Sequence, residues 1–291
     1  MKKLSLAVAV AATLGAGIAG AYTVGVPADG VLVPNVIHNG PGDTTAVAIT
    51  NHNTAARNGN YTVYWTFFDQ DSNHVTDGQF TMTQDDLHTF IWSEEAGVGL
   101  EGERGYLVFG LGEGAANSAA RTDGLLSAAA FQANAVEGDA VFVPTFPVDA
   151  SDWGGAGVDL RELSSTSLRS VMGAAPAGHV VDMRYAMGDF SSKIVLWATG
   201  NLKQSFTVHM YNDEQQRKSV NFDCENTELC FVDPTGIVGR PADFVNGFIR
   251  LATPTDLNEG DATGGSFLSY TEVKSSSFGA TQTILNTHFP R

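Results

Sequence analysis

The sequence predicts an all-β protein built from two tandem β-sandwich domains of the Ig-like or jelly-roll kind, with an insertion in the second domain. Three observations predict this architecture: apolar segments are short and rich in aromatic and β-branched residues, helical periodicity is nearly absent, and several motifs occur twice. Each segment has the length of a strand and is bounded by Gly, Asn, Asp or Pro. The clearest are YTVYWTFF (61–68), GYLVFGL (105–111), KIVLWAT (193–199), SFTVHMY (205–211) and NGFIRLA (246–252).

The first 21 residues predict an exported protein. Lys2 and Lys3 precede an apolar run from Leu4 to Ile18, and the small residues of positions 19–21 follow. This is the order of a Sec-type signal peptide, and the run is shorter than the roughly 20 residues that cross a bilayer. We therefore expect a signal peptide over residues 1–21 and no transmembrane segment in the mature chain. An uncleaved membrane anchor is the alternative. The short, lysine-bearing start is typical of bacterial export, to the periplasm, the cell surface or the medium.

The chain is strongly acidic, which limits its partners. It carries 16 Lys and Arg against 32 Asp and Glu, and removal of Lys2 and Lys3 leaves 14 against 32, a net charge of −18. Such a surface repels phosphate backbones, so we do not expect nucleic acid as a partner. The excess of acids indicates either solubility in salty surroundings or a surface that collects divalent cations.

Two motifs recur at the same spacing. Gly105-Tyr106-Leu107 matches Gly247-Phe248-Ile249, and 247 − 105 = 142. Leu126-Ser127 matches Leu268-Ser269, and 268 − 126 = 142 again. The shared order and spacing predict a duplicated domain, with chance similarity between two β-rich halves as the alternative.

Two further matches suggest where the copies begin and end. WTFFDQD (65–71) parallels HMYNDEQ (209–215), which aligns Asp69 with Asp213. VLVPNV (31–36) parallels VFVPTF (141–146) at an offset of only 143 − 33 = 110. The smaller offset upstream predicts an insertion of roughly 30 residues in the second copy.

These offsets set the predicted domain limits. We expect the first sandwich over residues 22–139 and the second over 140–291, each within the usual size of a domain. The insertion is expected at about 149–179, where the chain is rich in Gly and lacks strand patterning.

The stretch FFDQDSNHVTDG (67–78) begins like a calcium loop, because Asp69, Asp71, Asn73 and Asp77 supply closely spaced oxygen atoms. A calcium loop needs six to eight oxygens and a late bidentate acid, whereas Thr81 and Met82 stand near that position. Asp, Asn, Ser and Gly are also the residues that a hairpin turn requires. The sequence therefore favours a turn, with a calcium site on these four residues as the alternative.

The two cysteines predict a disulfide. Cys224 and Cys230 lie in DCENTELC, close enough in sequence to pair across a hairpin or strand corner. Two nearby thiols outside the cytoplasm usually pair. The spacing is not that of a catalytic CxxC, and no His is near enough in sequence to complete a two-thiol metal site.

Motifs of known catalytic chemistry are absent from the sequence. The seven histidines form no HxH or HExxH pattern, and neither a GxSxG elbow nor a Walker loop occurs. Asp85-Asp86 and Glu94-Glu95 are paired acids of the kind that glycoside hydrolysis uses. In a chain this acidic, such pairs more often belong to a solvated face.

We expect a non-enzymatic structural or adhesive protein of the bacterial surface, matrix or a filament, whose partners are other copies or surface components. The alternative is a carbohydrate-binding or carbohydrate-processing protein that uses Trp153, a large aromatic in the Gly-rich insertion, as an exposed ligand contact or a clamp between domains. A divalent-cation-binding module is a further alternative. No cofactor other than calcium is suggested by the sequence.

Overall fold

A computed structural model describes residues 20–53, 60–114, 117–153, 158–164, 167–255, 257 and 265–291. Strands account for most of the regular structure in these ranges. The strands of the first half, in chain order and preceded by the short β1 (Gly20–Ala21), are β2 (Gly30–Ile37), β3 (Asp43–Asn51), β4 (Tyr61–Asp69), β5 (His74–Met82), β6 (Asp86–Ile91), β7 (Arg104–Gly114), β8 (Asn117–Ala120), β9 (Leu126–Asn134), β10 (Asp139–Val143) and β11 (Phe146–Val148).

The second half contributes nine further strands. They are β12 (His179–Ala186), β13 (Phe190–Ala198), β14 (Ser205–Asn212), β15 (Arg217–Asp223), β16 (Leu229–Val232), β17 (Asn246–Ala252), β18 (Phe267–Ser275), β19 (Thr281–Leu285) and β20 (Thr287–Pro290). The described helices are short: α1 (Trp92–Ala96) and 3-10 turns at Val98–Leu100, Ala150–Trp153 and Pro234–Gly236. No helix in the described ranges is long and apolar enough to cross a membrane.

The strands form two antiparallel sandwiches with the same strand order. The first sandwich pairs the sheet β11-β2-β7-β4-β5 with the sheet β10-β9-β3-β6. The second pairs β20-β12-β17-β14-β15, extended by β1 at β20, with β19-β18-β13-β16. Every strand of one list has its counterpart at the same place in the other. The predicted all-β tandem sandwich is therefore confirmed.

The burial of equivalent strands differs between the two sandwiches. Strand β4 is buried at every position but its last, whereas its counterpart β14 alternates between buried and accessible residues. Alternation is the pattern of a strand with one face on the core and one in solvent, and continuous burial is that of a strand covered on both faces. The outer face of the sheet that contains β4 is thus covered, and the outer face of the sheet that contains β14 is accessible to solvent.

The strand register explains why glycine recurs 142 positions apart, at Gly105 and Gly247. Gly105 lies opposite Asp69, and Gly247 lies opposite Asn212. A Cβ atom at Gly105 would lie 1.9 Å from the Phe68 carbonyl oxygen, and one at Gly247 would lie 1.8 Å from the equivalent oxygen of Tyr211. Both copies require glycine because two backbones approach closely at this point.

Two of the predicted equivalences are wrong in detail. The register makes Asn212, not Asp213, the counterpart of Asp69. VLVPNV lies within β2, whereas VFVPTF spans β10 and β11, so these segments occupy different places in the sandwich. Both share apolar residues and a proline near a strand end, and that local likeness misled the sequence comparison.

The ends of the first sandwich also differ from the predicted limits. Strand β10 pairs with β9 and β11 pairs with β2, so the sheets of the first sandwich continue to Val148, past the predicted boundary at residue 139. The segment predicted as an insertion at 149–179 lies between the last strand of the first sandwich and β12. Residues 1–19 of the predicted signal peptide lie outside the described residues.

Candidate functional site

The Asp69 segment forms the turn between β4 and β5. Both carboxylate oxygens of Asp69 accept hydrogen bonds, one from the backbone N–H groups of Asp71 and Asn73 at 2.9 Å and the other from the Asn73 side-chain amide. Ser72 has a positive φ of 65°. The aspartate therefore holds the tight turn in the manner expected of an Asx residue.

The other two aspartates of the predicted calcium set point to different partners. Asp71 accepts hydrogen bonds from the backbone and hydroxyl of Thr227, which lies in the second sandwich. Asp77 pairs with His74 at 3.1 Å. Within the described part of the chain, no group of three or more His, Cys, Asp or Glu side chains is arranged to hold a metal ion. Calcium binding at this loop stays a prediction.

The second copy contains the same turn without an acid at the key position. Asn212 accepts a hydrogen bond from the backbone of Gln216 at 2.8 Å, and its amide donates to the Gln216 side chain. Gln215 has a positive φ of 66°, as Ser72 has in the first copy. The Asn212 amide thus accepts a backbone hydrogen bond within the turn, as the Asp69 carboxylate does. This equivalence supports a structural role for both residues.

The predicted disulfide is present. Cys224 and Cys230 are joined with a Cα–Cα distance of 5.6 Å, and both are buried. The loop that they close carries Thr227 and Glu228, which contact the first sandwich.

Trp153 is buried, so it is not the exposed ligand contact that the sequence suggested. It is 2% exposed and lies over Gly30 and Gly110 of the first sandwich. A Cβ atom at Gly30 would lie 2.2 Å from the indole. The ring therefore occupies the space that a side chain at position 30 would need. Leu163 and Leu168 line a small cavity with it against Phe68 and Val108. The connecting segment therefore covers the first sandwich's outer face.

The second sandwich covers the rest of that face. The rings of Phe68 and Tyr106 stack 5.1 Å apart and are only 2% and 1% exposed. Trp197 meets Tyr106 edge-on at 5.6 Å. The backbone N–H groups of Glu228 and Leu229 both donate to the carbonyl of Gln70. One end of the second sandwich thus binds this aromatic pair and the turn beside it.

A buried carboxyl group lies at the centre of this contact. The Tyr106 hydroxyl donates to Glu228 Oε2 at 2.7 Å and is also hydrogen-bonded to the Ser72 hydroxyl. Burial raises the pKa of Glu228 to about 8 and raises that of Tyr106 as well. The interface between the sandwiches therefore encloses a carboxyl group whose burial favours its neutral, protonated form.

A groove of about 410 Å³ lies elsewhere between the sandwiches. Its two lysines are both ion-paired, Lys193 to Glu272 at 2.6 Å and Lys274 to Glu137. Thr281 donates to Asp139 across the groove. The Lys274–Glu137 and Thr281–Asp139 contacts join the two sandwiches, whereas Lys193 and Glu272 are neighbours within the second.

The open face of the second sandwich carries a row of cationic and aromatic residues. In strand order β12-β17-β14-β15, Arg184 lies opposite Phe248, Phe248 opposite Tyr211, and Tyr211 opposite Arg217. Phe248 and Tyr211 stack 4.6 Å apart with an angle of 11° between their rings. By register this stacked pair is the counterpart of Phe68 and Tyr106.

A second row reinforces the cationic character of this surface. Arg250 lies opposite both Asp182 and His209. Its guanidinium forms two hydrogen bonds of 2.7 Å with Asp182 and lies 5.6 Å and 5.4 Å from the ring centres of Tyr211 and Phe248. Such stacking suits the planar guanidinium. We define the arginine–aromatic face as Arg184, His209, Tyr211, Arg217, Phe248 and Arg250.

This face is not evident from the sequence because its members are scattered over four strands. The available indication was the alternation in SFTVHMYN and NGFIRLA, which sends Tyr211, Phe248 and Arg250 to the side opposite the core. Only the strand order shows that these positions are neighbours. An aromatic and arginine-rich surface on a chain with twice as many acids as bases is a candidate binding site.

Comparisons with known proteins add little. No family model matches the chain, and no curated protein matches it in sequence. Among solved structures, a deletion mutant of Bacillus subtilis oxalate decarboxylase is 9% identical with a TM-score of 0.21, covering 89% of this chain and 68% of that one. A second oxalate decarboxylase structure is 8% identical with a TM-score of 0.20, covering 88% and 68%. Likeness at this level carries no argument about function.

Proposed function

We propose that this protein is an exported, non-enzymatic structural or adhesive component of the bacterial surface, matrix or a filament, and that it acts through the arginine–aromatic face. The observation that carries the proposal is that the stacked pair Tyr211–Phe248, between Arg184 and Arg217, is only half-buried. Aromatic residues and arginine are the residue types enriched at binding interfaces.

Export is supported by the predicted signal peptide and by the disulfide. The bond between Cys224 and Cys230 is typical of proteins outside the reducing cytoplasm.

A non-catalytic role is supported by the way in which the buried polar groups are used. Glu228, Tyr106 and Ser72 form hydrogen bonds that hold the two sandwiches together. Asp29 accepts hydrogen bonds from the backbone of Gly124 and Ala150, and so ties two loops to the first sandwich. These groups serve the architecture rather than a reaction centre.

Binding and assembly of the mature chain, residues 22–291, test the proposal. We expect wild-type protein to sediment with purified bacterial envelopes, or to form ordered oligomers in size-exclusion chromatography and negative-stain images. The double variant Arg184→Ala/Arg217→Ala should lose this behaviour while keeping its melting temperature, because both side chains are exposed. A protein that stays monomeric and binds no envelope contradicts the proposal.

A second candidate function is binding of acidic carbohydrate at the same face. Guanidinium groups pair with carboxylates in a bidentate manner, and the neighbouring rings offer apolar surface to a sugar. Affinity electrophoresis with polygalacturonate and with neutral dextran distinguishes this candidate. Retardation by the uronate polymer alone, lost in Arg184→Ala/Arg217→Ala, supports it, and equal mobility in both gels argues against it.

A further inference from the structure

The two sandwiches use the same surface in different ways. In the first, the stacked pair Phe68–Tyr106 is buried under the end of the second sandwich. In the second, the equivalent pair Tyr211–Phe248 is accessible. One copy of the duplicated surface is therefore covered within the chain, and no described part of the chain covers the other in this way.

The strand register indicates which group could cover the accessible pair Tyr211–Phe248 as the second sandwich covers Phe68–Tyr106. The occupying group within the chain is the start of β16, where Leu229 lies opposite Trp197 and follows Glu228. In the first sandwich, Asp86 lies opposite Asn51 at the equivalent place, so Asp85 is the counterpart of Glu228. The start of β6 in the first sandwich is thus equivalent to the start of β16, which covers the Phe68–Tyr106 pair.

This end of the first sandwich has the surface of a docking element. Leu87 is 62% exposed and lies opposite Thr50 of β3. Leu125, just before β9, is 43% exposed, and its carbonyl oxygen accepts a hydrogen bond from the backbone N–H of His52. Asp85 and Asp86 precede Leu87, and Asp85 is exposed. We define the acidic tip as Asp85, Asp86, Leu87 and Leu125.

The charges of the two surfaces are opposite. The arginine–aromatic face carries Arg184, Arg217 and Arg250. Asp182 is paired with Arg250, and Glu214 lies in the adjoining β14–β15 turn. The acidic tip carries two carboxylates beside two exposed leucines. Opposite charges steer partners together and fix their register. The covered face in the first sandwich is not cationic in this way, because His74 stands where the second copy has Arg217.

We propose that the arginine–aromatic face of one molecule binds the acidic tip of a second copy, repeating between molecules the contact that joins the sandwiches within one. This inference rests on the proposed structural role and names its partner. The two surfaces differ and lie on different sandwiches, so the contact is head-to-tail, and such contacts build open filaments unless they close into rings.

The repeated geometry specifies a further contact. Within the chain, Thr227 donates from its backbone and hydroxyl to Asp71 in the β4–β5 turn. The register makes Gln84 the counterpart of Thr227, and Glu214 the counterpart of Asp71. A Gln84 amide of one molecule would therefore donate to Glu214 of the next, beside the pairing of Asp85 with the arginines.

A charge-swap experiment tests the contact by sedimentation velocity of the mature chain. Wild type should associate as its concentration rises, and high salt should weaken the association. The face variant Arg184→Glu/Arg217→Glu and the tip variant Asp85→Arg/Asp86→Arg should each associate at least about tenfold more weakly. An equimolar mixture of the two variants should associate again, because every face then meets a tip of opposite charge.

Matched controls separate this contact from a general effect of charge. Lys218→Glu changes the charge of β15 on its other side, and Glu94→Arg/Glu95→Arg reverses an exposed acid pair on α1, away from the tip. Both controls should associate like wild type.

Three results would overturn the inference: monomeric wild type at all concentrations, association that neither swap weakens, or a mixture that does not recover. A monomeric wild type that still binds bacterial envelopes would remove self-docking and leave the proposed function standing.

Discussion

Asp69 shows how an acid that resembles a metal ligand can serve the backbone instead. Its two carboxylate oxygens are both engaged by donors within the turn. The equivalent turn uses Asn212, which has one carbonyl oxygen and no charge. The common requirement of the two turns is therefore a hydrogen-bond acceptor at the end of the strand, not a negative charge.

This comparison predicts the effect of substitution at Asp69. Asp69→Asn should be tolerated because the second copy already uses an amide there, whereas Asp69→Ala should lower the free energy of unfolding by about 1 kcal/mol through loss of the turn's hydrogen bonds. Urea denaturation measures both. We expect calcium to leave the wild-type melting temperature unchanged. A rise in melting temperature with calcium that Asp69→Asn abolishes would establish the metal site instead.

Glu228 predicts a pH dependence of stability. Burial raises its pKa to about 8 in the folded protein from the ordinary value of 4.5. Between these two values the unfolded chain releases the proton and the folded chain keeps it, so the free energy of unfolding falls as pH rises from about 4.5 to 8. Glu228→Gln keeps an acceptor for Tyr106 but cannot ionise. The variant should therefore lose this part of the fall in the free energy of unfolding with pH.

Melting temperatures between pH 4.5 and 9 check the prediction. The exposed acid variant Glu94→Gln is the control, and it should retain the wild-type slope. An unchanged slope in Glu228→Gln would show that the interface carboxyl group ionises as it does in water.

At the scale of the element, the segment between the sandwiches acts as a cover for a sheet. Trp153 and Leu160 pack against Gly110 of β7. Trp153→Ala should lower the free energy of unfolding by about 3–5 kcal/mol, the range for removal of a large buried aromatic. Trp153→Phe should cost clearly less because part of the ring volume remains. Equal melting temperatures for all three proteins would contradict the packing described.

The disulfide loop is the element that joins the sandwiches at Glu228. A loop of this size is expected to contribute about 2 kcal/mol by restricting the unfolded chain. We expect Cys224→Ser/Cys230→Ser to melt at a lower temperature and, in hydrogen exchange, to lose protection first at the amides of Glu228 and Leu229, which donate to Gln70. Uniform loss of protection over both sandwiches would argue that the loop does not act on this interface.

At the scale of the whole molecule, duplication produced two sheets of the same strand order in different surroundings. The first sheet became interior because the connecting segment and the second sandwich cover it, and its strands read as continuous apolar runs. The second sheet kept an outer face in solvent, and its strands alternate. The difference leaves the arginine–aromatic face accessible for the head-to-tail contact proposed above.

The sequence by itself determined the β class, the duplication and the disulfide, because each depends on local pattern: strand-length apolar runs, repeated glycines at close backbone approaches, and two nearby thiols. It misplaced the end of the first sandwich and the role of Trp153, because β10 and β11 belong to the first sandwich through pairing with distant strands. Only the tertiary structure decided which sheet face is covered and which arginines are neighbours. Such neighbours are created by pairing between strands far apart in the chain, which leaves no mark in local residue order.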